Sequence, residues 1–137
     1  MAELTREVLV KAEPSTIFAL LIEPGMQSWL GNDVEFDPRP GGLYKINVGG
    51  EHPALGEFVE VTQNEKVVFT FGWNEPDHPI PAGSTKVAIT LIPEGDKTLV
   101  RLVHSGLPDD AISDHEEGWQ HFLDRLATVA VGGQLVD

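Results

Sequence analysis

The sequence contains no cysteine, which excludes disulfides, thiol nucleophiles and cysteine-ligated zinc. Cations are few as well. Nine Lys and Arg stand against 22 Asp and Glu, giving a net charge of −13 over 137 residues. A field of that sign repels phosphate backbones and anionic membrane surfaces, so no nucleic-acid partner is expected. The acids are shared evenly between the two halves of the chain rather than gathered in a tail, and solubility accounts for them. Long apolar runs are also missing. The opening "MAELTREVLVKAEP" alternates polar and apolar residues and lacks the apolar core of a signal peptide. No segment is long enough to cross a bilayer. A cytoplasmic protein without membrane insertion is the expectation.

What is present suits a folded domain. Hydrophobic residues make up 41% of the chain, and residues 1–137 are expected to form a single domain with one core. "ELTREVLVK" reads as a strand that offers Leu4, Val8 and Val10 to that core. Pro14 then suits the first turn of a short helix carrying Ile17, Phe18, Leu20 and Leu21. Pro24-Gly25 breaks it, and "MQSWL" adds a further turn that ends at Gly31.

From residue 32 the apolar period becomes two. Val34 and Phe36 share a face, as do Tyr44, Ile46 and Val48 between glycine pairs. "GEFVEVTQNEKVVFTFGW" reads as two strands around Gln63-Asn64-Glu65, the second showing Val67, Phe69, Phe71 and Trp73 on one side. A hairpin about Glu94-Gly95-Asp96 shows Val87, Ile89 and Leu91 on one arm and Val100, Leu102 and His104 on the other.

The last element is "SDHEEGWQHFLDRL". Ser113 and Glu116 have the spacing of a capping box, and Asp114, Glu116 and Glu117 suit the positive end of a helix. Trp119, Phe122, Leu123, Leu126 and Ala130 keep helical spacing, while Gln120, Asp124, Arg125 and Thr128 point away. Gly132-Gly133 ends the helix. Two large aromatics on one stripe need a sizeable surface to lie against. The whole order indicates an α+β fold: a curved antiparallel sheet of about six to seven strands, two short helices after the first strand, and a long C-terminal helix across the sheet.

Four motifs, in order, resemble one known family: "RPGG" at 39–42, "VVFTFGW" at 67–73, "TLVRLVHSGLP" at 98–108 and "HEEGWQHFLDRLA" at 115–127. They are similar to the family named after the C-terminal domain of the heat-shock chaperone ATPase activator, over about residues 8–130. That family belongs to the START-like, Bet v-like superfamily, with polyketide cyclases and lipid-transfer domains. The resemblance implies a helix-grip fold and a cavity between sheet and helix.

Candidates for lining such a cavity follow from the inward faces. They are Trp29 from the helical turn, Phe36, Tyr44 and Ile46 from the early strands, and Phe69, Phe71 and Trp73 from the central one. Val87, Ile89 and His104 come from the last hairpin, and Trp119, Phe122, Leu123 and Leu126 from the helix. The same residues would equally fill a dry core. His104 can serve as acid, base or ligand partner, or as a satisfied core histidine bonded near Trp119. Tyr44, the single tyrosine, needs a hydroxyl partner that a ligand could supply.

Other chemistry finds little footing. His115 and His121 face different sides of a helix, and His52 and His78 lie beside prolines, so no metal site is expected. Ser105 and His104 alternate across a strand and cannot form a dyad. No residue is assigned a catalytic role and no cofactor is expected. Arg39 reads as a turn or rim residue. The loop "NEPDHPIPAGS" at 74–84, stiffened by three prolines, is placed beside the cavity entrance. Three functions remain in view. One is binding of a small hydrophobic or aromatic molecule. The second is a cyclase- or hydrolase-type reaction through His104, Tyr44 or Glu57, and the third is association with a chaperone or other protein.

Overall fold

The computed structural model describes residues 2–22 and 25–132. The breaks assigned to Pro24 and Gly133 lie outside these residues. The chain order is β1 (Ala2–Val10), α1 (Pro14–Ala19), a 3-10 turn (Gly25–Ser28), β2 (Gly31–Phe36), β3 (Leu43–Val48) and β4 (His52–Thr62). Then follow β5 (Lys66–Phe71), β6 (Thr85–Glu94), β7 (Lys97–Leu107), a second 3-10 turn (Asp109–Ala111) and α2 (Ile112–Ala130). The strands form one antiparallel sheet in the order β1-β7-β6-β5-β4-β3-β2. With α2 laid across one face, this is the helix-grip arrangement.

Alternation places the core. Val87, Ile89 and Leu91 of β6 stand opposite His104, Leu102 and Val100 of β7, and all six are buried. Tyr44, Ile46 and Val48 of β3 and Phe69 and Phe71 of β5 are buried on the same side, with Leu123 and Leu126 of α2 closing over them. Tyr44 sits between two rings, stacked on Phe69 with centroids 3.9 Å apart and on Phe36 at 4.6 Å. Trp29 is buried beneath the turn that follows α1, and its Nε1–H donates to the Leu20 carbonyl at 2.6 Å.

The sheet bends at β4. Its first half pairs with β3, from Val48↔His52 to Leu43↔Glu57, and its second half pairs with β5, from Phe58↔Phe69 to Thr62↔Lys66. A bulge lies between Phe58 and Glu60, and bulges add local bend and twist. Gly56 permits the crossing: a Cβ there would stand 1.9 Å from the Thr70 carbonyl oxygen.

Three local expectations are corrected. No capping box forms, because the 3-10 turn runs straight into α2; Ala111 is the N-cap and has no side-chain cap. Ser113 and Glu116 are therefore both inside the helix. Asp114 is the acid in the first turn, whereas Glu116 faces Arg6 of β1 at 3.5 Å. Arg125 does not simply point away, since its Nε donates to the Trp29 carbonyl at 3.0 Å and ties α2 to the first helical segment.

Candidate functional site

A cavity of about 510 Å³ opens where the N-terminal half of α2 parts from the sheet. Its apolar wall is Phe71, Trp73, Trp119 and Phe122, with Leu30 and Val48 at one side. The parting has a local cause. β5 ends at Phe71, and Trp73 is held by isolated bridges to Ala54 and Pro81 rather than by a continuing ladder. The 74–84 loop thus folds back on the sheet end, despite its prolines. Trp73 N–H donates to the Ile80 carbonyl at 2.9 Å, Asn74 N–H to Pro53 at 2.8 Å, and Ile80 is buried.

The loop contributes Glu75 and His78 to the wall; α2 adds Asp114, His115 and Gly118, and the start of β4 adds His52. His52 is the first residue of β4, whereas His78 lies in the loop. Trp73 is ringed by imidazoles, with centroids 6.1 Å from His52, 6.2 Å from His78 and 6.1 Å from His115. Among the described residues no group of His, Asp and Glu is arranged to hold a metal ion. His78 Nδ1 accepts the Ile80 N–H at 3.0 Å, which orients that ring within the loop.

His104 stands behind this wall, fully buried. The indole N–H of Trp119 is a donor only, so the 3.0 Å contact to His104 Nδ1 makes that nitrogen an acceptor. In the neutral ring the proton is then on Nε2, which donates to Thr85 Oγ1 at 2.8 Å. The Thr85 hydroxyl in turn donates a hydrogen bond to the Phe71 carbonyl at 2.6 Å. Both ring nitrogens of His104 and the Thr85 hydroxyl proton are thereby engaged. Burial, and secondarily the neighbouring His115 with its ring centroid 5.6 Å away, lower the His104 pKa to about 3. It is a neutral strut that fixes Trp119 against β6 and β7.

Tyr44 is also occupied. Its hydroxyl points at Met26 Sδ, 3.7 Å away, and burial pushes the phenol pKa well above its ordinary value. Tyr44 and His104 therefore do not converge on one polar atom of a ligand. Glu57 is exposed on β4, and Arg39 is exposed beside Asp37 at 2.7 Å. Of the residues picked out from the sequence, Phe71, Trp73, Trp119 and Phe122 border the cavity. Trp29, Tyr44, Ile46, Phe69, Val87 and Ile89 are buried in the core behind it, as are Leu123 and Leu126, with Phe36 packed against them.

Sequence reasoning missed His115 as a wall residue although a signal was available. His115, Trp119 and Phe122 fall at i, i+4 and i+7, one face of a helix. Its Nδ1–H donates to the Ala111 carbonyl at 2.9 Å, and its Nε2 is buried with no hydrogen-bond partner.

The family model described as Activator of Hsp90 ATPase homolog 1-like protein matches residues 11–130. A search of curated proteins found no match. Among solved structures, an AHSA1-like protein of Rhizobium etli is 39% identical, with TM-score 0.75 over 99% of this chain and 91% of that one. The Aha1 dimer of Colwellia psychrerythraea is 22% identical, with TM-score 0.83 over 98% and 100% of the two chains. CalU16 of Micromonospora echinospora is 19% identical, with TM-score 0.76 over 93% and 75%. The last two show the shared fold alone. The extent of the family match and the Rhizobium etli identity show that this chain belongs to the Activator of Hsp90 ATPase homolog 1-like family.

Proposed function

We propose that the chain binds a small, largely aromatic or apolar molecule in the cavity between α2, the end of β5 and the 74–84 loop. The observation that carries this reading is Gly118. A glycine inside a helix costs about 1 kcal/mol relative to alanine, yet packing does not require one here. A Cβ at Gly118 meets no atom within 4 Å. What the missing side chain leaves is room in the cavity wall. The volume of about 510 Å³ suits a small-molecule site, and an apolar wall with few polar groups is the usual composition of one. Phe71, Trp73, Trp119 and Phe122 make the apolar contacts, and the aromatic core behind them keeps the wall rigid.

Gly118 also supplies the test. Gly118→Ala is expected to raise stability by about 0.5–1 kcal/mol in urea denaturation. Gly118→Leu keeps the helix and grows into the cavity, so it should weaken binding of ethylnaphthalene by at least about tenfold in isothermal titration. Equal affinity in the wild type and Gly118→Leu would remove the reading.

An enzymatic role needs a titrating group offered to the substrate. His104 and Tyr44 already have their polar atoms engaged inside the protein, which speaks against a reaction through those two side chains. The family's description also supports a chaperone-associated role. A stoichiometric chaperone recovered with this protein from its parent cell would favour that role over the ligand reading.

A further inference from the structure

Among the described residues, the fixed charges on the cavity wall itself are all of one sign. Glu75 of the loop and Asp114 of α2 stand on its wall, both exposed enough to meet a ligand at the mouth, and among the described residues no Lys or Arg lines it. The protein's net charge of −13 adds to the field of those two carboxylates. An anionic ligand would enter against both. A positively charged one would be drawn in and would then meet aromatic faces, which attract an ammonium group through the ring quadrupole.

His115 also stands on the wall. With Nδ1–H committed to the Ala111 carbonyl, the neutral ring keeps only a lone pair on Nε2. Among the described residues that nitrogen has no partner, and it is buried out of reach of a molecule in the cavity. His52 and His78 face Trp73 as well.

Resting on the cavity-binding reading, we infer that the ligand is an organic cation: a protonated amine carried on an aromatic or apolar body. The body lies among Phe71, Trp73, Trp119 and Phe122. The ammonium sits toward Glu75 and Asp114.

The test uses three probes of one shape and different charge: naphthylethylamine, ethylnaphthalene and naphthylacetate. They are titrated into the full chain by calorimetry at about pH 8, where an ordinary imidazole is neutral. The amine should bind about tenfold more tightly than the carboxylate and severalfold more tightly than the hydrocarbon. In the Glu75→Gln/Asp114→Asn double variant the amine should lose about three- to tenfold in affinity while the hydrocarbon is unaffected. If ethylnaphthalene binds but the amine has no advantage, or keeps its advantage in the double variant, the cation assignment falls and the cavity reading stands. If none of the three binds, both fall.

Discussion

Replacing Trp119 by alanine is expected to cost about 3–5 kcal/mol of stability, the range for deleting a large buried aromatic. The residue is 5% exposed and packs on Phe71 with ring centroids 6.0 Å apart. Loss of the ring would open the cavity into the core instead of merely enlarging it. Trp119→Phe separates the two contributions of the side chain. It keeps most of the apolar contact but removes the N–H that satisfies His104 Nδ1. An acceptor left unpaired in the interior costs about 1–3 kcal/mol, so this variant should fall well short of wild type in urea denaturation. Wild-type stability in Trp119→Phe would show that the indole N–H is not what holds His104.

The second large effect is loss of stability in mild acid. The His104 pKa is lowered from 6.5 to about 3 in the folded protein. Between those values the unfolded chain takes up a proton that the folded one refuses. The contribution is therefore fully present above about pH 6.5 and is lost progressively as pH falls towards 3. The slope from this one residue is about 1.4 kcal/mol per pH unit. Carboxylate protonation joins in below about pH 5, so the informative window lies between about 6.5 and 5. His104→Gln should be less stable than wild type at neutral pH and should lack this slope. Parallel decline of the two proteins across the window would assign the acid lability elsewhere.

Much of the fold is legible because the strands alternate strictly. The series Val87, Ile89, Leu91 and Val100, Leu102, His104 has one period, and the hairpin at Gly95 fixes which residues face each other. The position of His104 in the core and its proximity to Trp119 follow from the same pattern. Its complete hydrogen bonding does not, because Thr85 stands nineteen residues away and only the sheet brings it near. The bend of β4 is illegible for a similar reason. A bulge between Phe58 and Glu60 follows from pairing with two different neighbours, which no local pattern encodes.

The cavity was harder to read than the core. Its apolar wall comes from faces with a clear period, and Phe71, Trp119 and Phe122 were accessible on that basis. Its polar wall comes from element ends and a loop. Glu75 and His78 owe their places to the backbone bonds of Trp73 and Asn74, and periodicity has nothing to say about them. His52 lies at the first position of a strand, where side-chain direction depends on the preceding turn. Asp114 looked like a helix-terminus acid, which it is, while also standing at the cavity.

The three tryptophans give the most direct test that the cavity is a binding site. Each has an indole N–H in a different setting: Trp29 bonded to Leu20 in the core, Trp119 bonded to His104, and Trp73 on the cavity wall. A nitrogen–proton correlation spectrum of the full chain, titrated with ethylnaphthalene, reads all three at once. The expected result is that the Trp73 and Trp119 indole signals move together to saturation while Trp29 stays in place. Three unmoved signals at the solubility limit of the probe, or movement of Trp29 along with the others, would contradict a ligand site in this cavity.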